Sequence, residues 1–91
     1  MKYEIRATNQ FKKDIKLSKK QGKDVEKLFS VIEKLACGEP LDEKYRDHAL
    51  TGDYKGCREC HIEPDWLLVY KVCKDMLILR LIRTGTHSDL F

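Results

Sequence analysis

The sequence predicts one α+β domain, residues 1–91, in which an antiparallel sheet carries an N-terminal helical hairpin on one face, in the order β-α-α-β-β-β. Two stretches of the first half repeat apolar residues at helical spacing. Three stretches of the second half are apolar over strand length, and turn residues separate them. A chain of 91 residues is long enough for one hydrophobic core and no second lobe.

The first strand and the first helix are predicted from alternation and from helix punctuation. Lys2–Ala7 alternates apolar with charged side chains, which is typical of a short strand. Thr8 or Asn9 then supplies an N-cap for a helix that runs to about Gln21. Gly22 breaks the pattern, so the helix is expected to end there.

A second helix is predicted from Lys23 or Asp24 to about Cys37. Its apolar positions follow helical spacing: Val25, Leu28, Phe29, Ile32, Leu35 and Ala36. Gly38 suits the position after the helix, and Pro40 forbids continuation. Because the break between the two helices is short, we expect an antiparallel helical hairpin.

The second half is expected to supply three strands. A polar connection, Glu39–Lys55, comes first, and its length is itself a hint of function. Strands are then predicted at Gly56–Ile62, Trp66–Cys73 and Met76–Thr84. The second of these should place four side chains on one face: Trp66, Leu68, Tyr70 and Val72.

Charge and hydropathy restrict which binding partners and which cellular compartment are expected for this chain. The chain carries a net charge of +3, and six lysines stand between positions 12 and 23 against one acid, Asp14. Such a run is either a solvated helix face or a surface for an anionic partner. No apolar run approaches the roughly 18 residues of a membrane span, and the N-terminus lacks the apolar stretch of a signal peptide. The cytoplasm is the expected compartment.

The cysteine pattern favours reduced thiols over a disulfide or a zinc site. Four cysteines occur, at Cys37, Cys57, Cys60 and Cys73, and the middle two form a CxxC. The CxxC lies in a predicted strand, where positions i and i+3 point to opposite faces. A redox pair and half of a zinc site are the alternatives. We expect the thiols to act as small apolar side chains.

All three histidines stand in the second half, at His48, His61 and His87. Carboxylate, arginine and aromatic residues accompany them: Arg58, Asp65, Trp66, Arg83 and Phe91. Histidine both takes and gives a proton near neutral pH. The set therefore indicates acid–base chemistry, provided that the fold brings the histidines together.

The second half also carries a recognisable pattern. It reads H-x-L-x-G, then G-x-R-x-x-H-I-x-P-D-W-x-L-x-Y, then R-T-G-T-H-x-x-L-F. This pattern resembles the YafQ branch of the RelE family of bacterial toxins. The resemblance implies a RelE-like fold and an mRNA endonuclease that acts in the ribosomal A site without metal or other cofactor. It also implies a DinJ-like antitoxin as partner, contact with operator DNA only through that antitoxin, and no membrane partner.

The resemblance assigns the site residue by residue. Six positions match the branch's active site: His48, His61, Asp65, Arg83, His87 and Phe91. Arg58 and Trp66 are predicted substrate contacts, and Lys12, Lys16 and Lys19 are predicted to meet ribosomal RNA. Cleavage of RNA needs a base, an acid and a cation for the phosphorane, which two histidines and an arginine can supply.

Each assignment has a structural alternative. Asp65 is a common turn residue after proline, Trp66 begins an apolar strand, and Phe91 could pack on the sheet. A metal site on the histidines and Asp65 lacks the spacing typical of zinc or iron, so no metal is predicted. Two other functions stay open. They are a non-enzymatic toxin like the ParE relatives, which inhibit DNA gyrase, and an RNA- or ribosome-binding module with structural histidines.

Overall fold

A computed structural model describes residues 2–91 of the chain. The strands are β1 (Glu4–Ala7), β2 (His48–Ala49), β3 (Arg58–Glu63), β4 (Trp66–Cys73) and β5 (Ile78–Gly85). The helices are α1 (Asn9–Lys20), α2 (Val25–Ala36) and the short α3 (His87–Leu90), with 3₁₀ turns at Glu43–Tyr45, Gly52–Tyr54 and Lys74–Met76. Over the described residues the strands form one sheet in the order β1-β5-β4-β3-β2.

The predicted α+β class is confirmed, and the sheet is antiparallel from β2 to β5. β1 differs, because it joins the edge of β5 in parallel, from Glu4 opposite Ile78 to Ala7 opposite Leu81. Alternation in β1 predicts a strand but carries no information on its direction relative to its partner. Part of the polar connection also enters the sheet as β2, a strand too short for alternation to indicate.

The helix ends follow the predicted chemistry. The Thr8 side-chain oxygen accepts a hydrogen bond from the Phe11 amide at 3.0 Å and caps α1. The Asp24 carboxylate accepts from the Glu26 amide at 3.1 Å and caps α2. Gly38 follows α2 with φ of 76°, the left-handed conformation that favours glycine. None of the helices in residues 2–91 has the length and apolar content to cross a lipid bilayer.

The two faces of the sheet carry different cores. The helix face, which packs against α1 and α2, holds the larger core, including Phe11, Leu28, Val31, Ile32, Trp66, Leu68, Tyr70, Leu79 and Leu81. The opposite face holds a small cluster of Leu67, Val69 and Leu90. β4 is therefore buried on both sides, from Trp66 to Tyr70. Phe29, predicted in the apolar stripe of α2, is 42% exposed because the buried stripe is narrower than the sequence pattern.

The four cysteines are free thiols. Cys60 is fully buried in the core of the helix face, whereas Cys57 packs against the small cluster of the opposite face. The prediction that the two thiols of the CxxC point to opposite faces is thus confirmed, although Cys57 precedes β3 instead of lying within it. Burial, followed by the nearby charges of Asp47 and Glu59, raises the pKa of the Cys60 thiol to about 12.

Candidate active site

The sheet register lines up charged residues on the face opposite α1 and α2. His48, Glu59, Val69 and Arg83 occupy directly opposed positions on successive strands. In the neighbouring row, His61 is opposite Leu67 on β4, and Leu67 is opposite Gly85 on β5. Directly opposed residues share a face of a sheet. We call this surface the histidine face, defined by His48, Glu59 and His61.

Glu59 joins two of the histidines. Its carboxylate lies 3.5 Å from Nε2 of His48 and 3.4 Å from Nε2 of His61. The residue is only 5% exposed, so its carboxylate is held in place beside both rings. The sequence interpretation missed Glu59. Glu59 could have been recognised from the sequence, because it lies two residues before His61 in a predicted strand. Residues i and i+2 of a strand point to the same face.

His87 forms a dyad with Asp65. One carboxylate oxygen of Asp65 accepts from the backbone N–H of His87 at 2.9 Å and lies 2.6 Å from its ring nitrogen Nδ1. These bonds, the backbone one first, hold the pKa of Asp65 below its ordinary value. Because the carboxylate is an acceptor, Nδ1 carries the proton and Nε2 is left for chemistry. The structure therefore brings Asp65 to His87, a pair that the sequence analysis named as site residues without predicting their contact.

The three imidazoles stand in a chain across the surface. The ring centres of His48 and His61 are 6.3 Å apart, and those of His61 and His87 are 5.7 Å apart. Nδ1 of His48 lies 2.7 Å from the carbonyl oxygen of Arg46, which fixes that ring. A single hydroxyl or phosphate oxygen between His61 and His87 would lie within reach of both rings.

The short helix α3 places His87. Its N-cap Thr86 accepts from the Asp89 amide at 3.2 Å, and the Asp89 carboxylate accepts from the Thr86 amide at 3.2 Å. This capping box ties α3 to the end of β5. Gly85 permits the close approach, since a Cβ there would lie 3.1 Å from the Cβ of Asp89.

Asp14 on α1 holds the Arg83 side chain in place. Its Nε and Nη2 donate to the two carboxylate oxygens of Asp14 at 2.9 and 3.0 Å, and the Thr84 amide donates to the same carboxylate at 3.1 Å. The bond to Asp14 is the main reason that the pKa of Arg83 is raised, and Tyr54 adds to it. Phe91 is 61% exposed and meets Tyr54 edge-on, with ring centres 5.6 Å apart. Sequence reasoning assigned no role to Asp14 or Tyr54.

Trp66, a predicted substrate contact, lies on the helix face of β4, where its side chain is 1% exposed. This burial favours the structural alternative, in which Trp66 is a core residue. Its indole N–H donates to the Thr84 hydroxyl at 3.0 Å. Arg58 is half exposed, but its Nε donates to Asp47 at 2.6 Å, so its charge already has a partner. The three predicted lysines of α1, Lys12, Lys16 and Lys19, are exposed.

A metal-ligating cluster also lies on the histidine face. His48, Glu59 and His61 each offer one ligand atom, and these atoms lie within 4.8 Å of one another. The donor set of two imidazoles and a carboxylate suits zinc or another divalent transition metal. The sequence interpretation weighed Asp65 as the carboxylate and missed this arrangement, because Glu59 had not been recognised.

Comparison with known proteins gives a consistent picture. Residues 3–91 match the family model described as bacterial toxin of type II toxin–antitoxin system, YafQ. The mRNA interferase toxin YafQ of Escherichia coli K12 is 44% identical over 89 residues, which are 97% of this chain and 95% of that protein.

Solved structures agree over the same length. The metal-bound toxin from Helicobacter pylori has a TM-score of 0.92 at 45% identity and covers 98% of this chain and 99% of its own. The toxin in the Escherichia coli DinJ-YafQ toxin–antitoxin complex has a TM-score of 0.90 at 42% identity, with 100% and 99% covered.

Proposed function

The chain belongs to the YafQ family of bacterial toxins of type II toxin–antitoxin systems, and from that premise we propose that it is an mRNA endoribonuclease working by acid–base catalysis. The observation that carries the proposal is the pairing of two carboxylate-supported imidazoles, His61 and His87, with ring centres 5.7 Å apart. The relative in Escherichia coli is named an mRNA interferase, which supports the same reaction.

The proposed reaction needs two proton transfers and no outside reagent. A base removes the proton of a ribose 2′-OH, and that oxygen attacks the adjacent phosphorus. The bond from phosphorus to the 5′-oxygen of the next nucleotide then breaks, and an acid gives that oxygen a proton. The products are a 2′,3′-cyclic phosphate and a 5′-hydroxyl. The need for the 2′-OH restricts the enzyme to RNA.

The surroundings of the histidines suit a division of these roles. Asp65 fixes Nδ1–H of His87 and stabilises the positive imidazolium, so we assign His87 as the acid that protonates the leaving oxygen. His61 is the base in this assignment, with Glu59 beside its Nε2 at 3.4 Å. His48 lies next in the chain of rings and shares Glu59, so we assign it to hold the attacking ribose.

Arg83 and Phe91 complete the proposed site. Asp14 occupies the Nε side of the guanidinium, which leaves the N–H groups at its outer end as a fork for two phosphate oxygens. That fork would stabilise the charge of the phosphorane. The exposed ring of Phe91, buttressed by Tyr54, offers a surface on which an unpaired base can stack.

A bound metal ion would compete with this chemistry. His48, Glu59 and His61 would hold it, and it would supply a local positive charge. A solved structure of the Helicobacter pylori relative is metal-bound, which supports metal binding by these three residues. Because the ion would take imidazole nitrogens out of proton transfer, we propose that cleavage needs no metal. We expect added Zn²⁺ to slow cleavage and chelator to restore it; loss of cleavage in chelator would contradict this.

We further propose that cleavage occurs on mRNA in the ribosomal A site and that a DinJ-like antitoxin silences it in the cytoplasm. The exposed lysines of α1 suit ribosomal RNA, which binds basic surfaces in a salt-dependent manner. The solved complex of DinJ with YafQ supports a partner of that kind. Operator DNA would be reached only through the antitoxin.

One experiment tests the proposal against its alternatives. Purified protein is incubated with mRNA in the presence and in the absence of translating ribosomes, and the RNA ends are mapped. We expect cleavage only on ribosomes, with cyclic phosphate ends. Ribosome binding without cleavage would favour a binding module. No cleavage in either condition, together with growth arrest when the chain is expressed without an antitoxin, would favour a ParE-type toxin.

A further inference from the structure

A cavity that the proposed reaction does not use opens beside His61. It has a volume of about 580 Å³ and lies between α2, the Glu43–Tyr45 turn and the end of β3. Three cationic side chains line it, Lys27, Lys44 and Arg46, together with Ser30 and the ring of Tyr45. The volume falls within the roughly 300–1,000 Å³ of small-ligand pockets.

The lining of this cavity carries more positive than negative charge. Lys27 pairs with Glu63 at 3.1 Å, so these two charges offset each other. Within residues 2–91, Lys44 and Arg46 have no carboxylate partner. Two free cations at the rim of a pocket favour an anionic ligand. Lys44 also lies over the Tyr45 ring, with Nζ 5.2 Å from the ring centre.

The backbone that carries these cations is shared with the histidine face. Asp42 caps the turn by accepting from the Lys44 amide at 3.0 Å. Arg46 adopts a left-handed conformation with φ of 49°, which is uncommon for a residue other than glycine. Its carbonyl oxygen is the one that fixes Nδ1 of His48 at 2.7 Å. The strained residue therefore connects the cavity to the row of histidines.

We propose that this cavity is a subsite for one nucleotide of single-stranded RNA, the neighbour of the scissile phosphate. The Tyr45 ring lines the cavity beneath Lys44, so the base stacks on this ring once the Lys44 ammonium moves to the phosphate. Lys44 and Arg46 bind the phosphate, and Ser30 offers a hydroxyl to the base edge or the sugar. His61 lies at the border, because it lines the cavity and also stands 5.7 Å from the His87 ring centre.

The subsite rests on the proposed function, since it assigns part of the same substrate. Its contribution is to binding rather than to bond breaking, because it positions the chain next to the reacting phosphate. A cleavage assay can test this separation of binding from bond breaking. Lys44→Gln and Tyr45→Leu should each raise KM for cleavage about tenfold and leave kcat within a factor of about two.

Two further variants control for charge and backbone. Arg46→Asn removes a cation but keeps a residue that tolerates the left-handed conformation, so it separates charge from loop geometry. Lys34→Gln removes a lysine from α2 outside the cavity and should leave KM unchanged. A change in kcat without a change in KM for the cavity variants would overturn the assignment.

The binding arm does not depend on cleavage. Ribonucleoside 5′-monophosphates are titrated into the ¹⁵N-labelled wild-type protein, with inorganic phosphate as the comparison. We expect saturable amide shifts at Ser30, Tyr45, Arg46 and His61, and about tenfold weaker binding in Lys44→Gln. Absence of those shifts at millimolar nucleotide, or equal affinity for phosphate alone, would overturn the proposal. Nucleotide binding by a protein that cuts no RNA would support the subsite and refute the nuclease.

Discussion

The two faces of the sheet differ in what their side chains do. The helix face buries a continuous apolar core against α1 and α2. Within residues 2–91, the histidine face buries a small apolar cluster of Leu67, Val69 and Leu90, and it carries Glu59 with its two imidazoles. β4 serves both, since its residues alternate between the two cores. The lesson is that stability and activity can be changed separately by choosing the face.

The largest expected effect is on the helix face. Leu68→Ala removes a fully buried side chain from β4 and should lower the free energy of unfolding by about 2–5 kcal/mol, because it leaves a cavity. Chemical denaturation measures the loss. Cleavage by the fraction that remains folded should be normal. Equal losses of stability from Leu68→Ala and from His87→Ala would break the distinction between the faces.

The second prediction concerns the residue that connects the faces. Asp14 is 5% exposed on α1, and its carboxylate accepts from Arg83 and from the Thr84 amide. Asp14→Asn replaces one acceptor with a donor, so it should cost about 1–3 kcal/mol of stability and also reduce cleavage through a loosened Arg83.

A double-mutant cycle checks the connection between Asp14 and Arg83. Asp14→Asn, Arg83→Gln and the double variant are compared in stability and in cleavage rate. We expect the two changes to be non-additive by about 0.5–3 kcal/mol, because the residues are in direct contact. Strict additivity in both measurements would mean that Asp14 does not position Arg83.

The third prediction sharpens the comparison through pH. On the helix face, burial raises the pKa of Cys60 from 9.0 to about 12, and burial also raises the pKa of Tyr70. In the folded protein, each of these two groups keeps its proton at a pH at which the same group in the unfolded chain has lost it. Stability is therefore unaffected below about pH 9; it falls above that pH through Cys60 and above about pH 10 through Tyr70 as well, with a slope of at most about 1.4 kcal/mol per pH unit for each group.

The histidine face responds at the opposite end of the scale. The pKa of Asp65 is lowered by its bonds from His87, so its contribution is present above the ordinary value of 3.8 and is lost as the pH falls below it. Denaturation curves at several pH values measure both limbs. Cys60→Ala should flatten the alkaline limb alone, and an unchanged alkaline limb in that variant would count against the buried thiol.

The sequence predicted the regular elements well because their signals are local. β4 was predicted with its observed bounds, Thr8 was one of two predicted caps of α1, and α2 begins one residue after the predicted start at Asp24, because each of these signals spans only a few residues. The parallel pairing of β1 was not predicted, since pairing direction depends on residues more than 70 positions away.

The site was predicted in part. The dyad of Asp65 and His87 was foreseen as a set of residues but not as a geometry. Asp14 could not be found, because its partner Arg83 is 69 positions away and a lone acid among lysines carries no distinguishing pattern. Glu59 could have been found from its spacing to His61. The burial of Trp66 could not be read from the motif, because a motif gives residue identity and says nothing of which face of a strand is buried.

The central claim is that His61 and His87 transfer the protons of RNA cleavage. Single-turnover cleavage of mRNA on ribosomes tests it, with wild type, His61→Ala and His87→Ala compared at equal folded concentration. We predict that each variant cleaves at least about 10²-fold more slowly, the usual loss for a general acid or base, while its denaturation midpoint stays close to that of wild type. Full cleavage by both single variants would contradict the account.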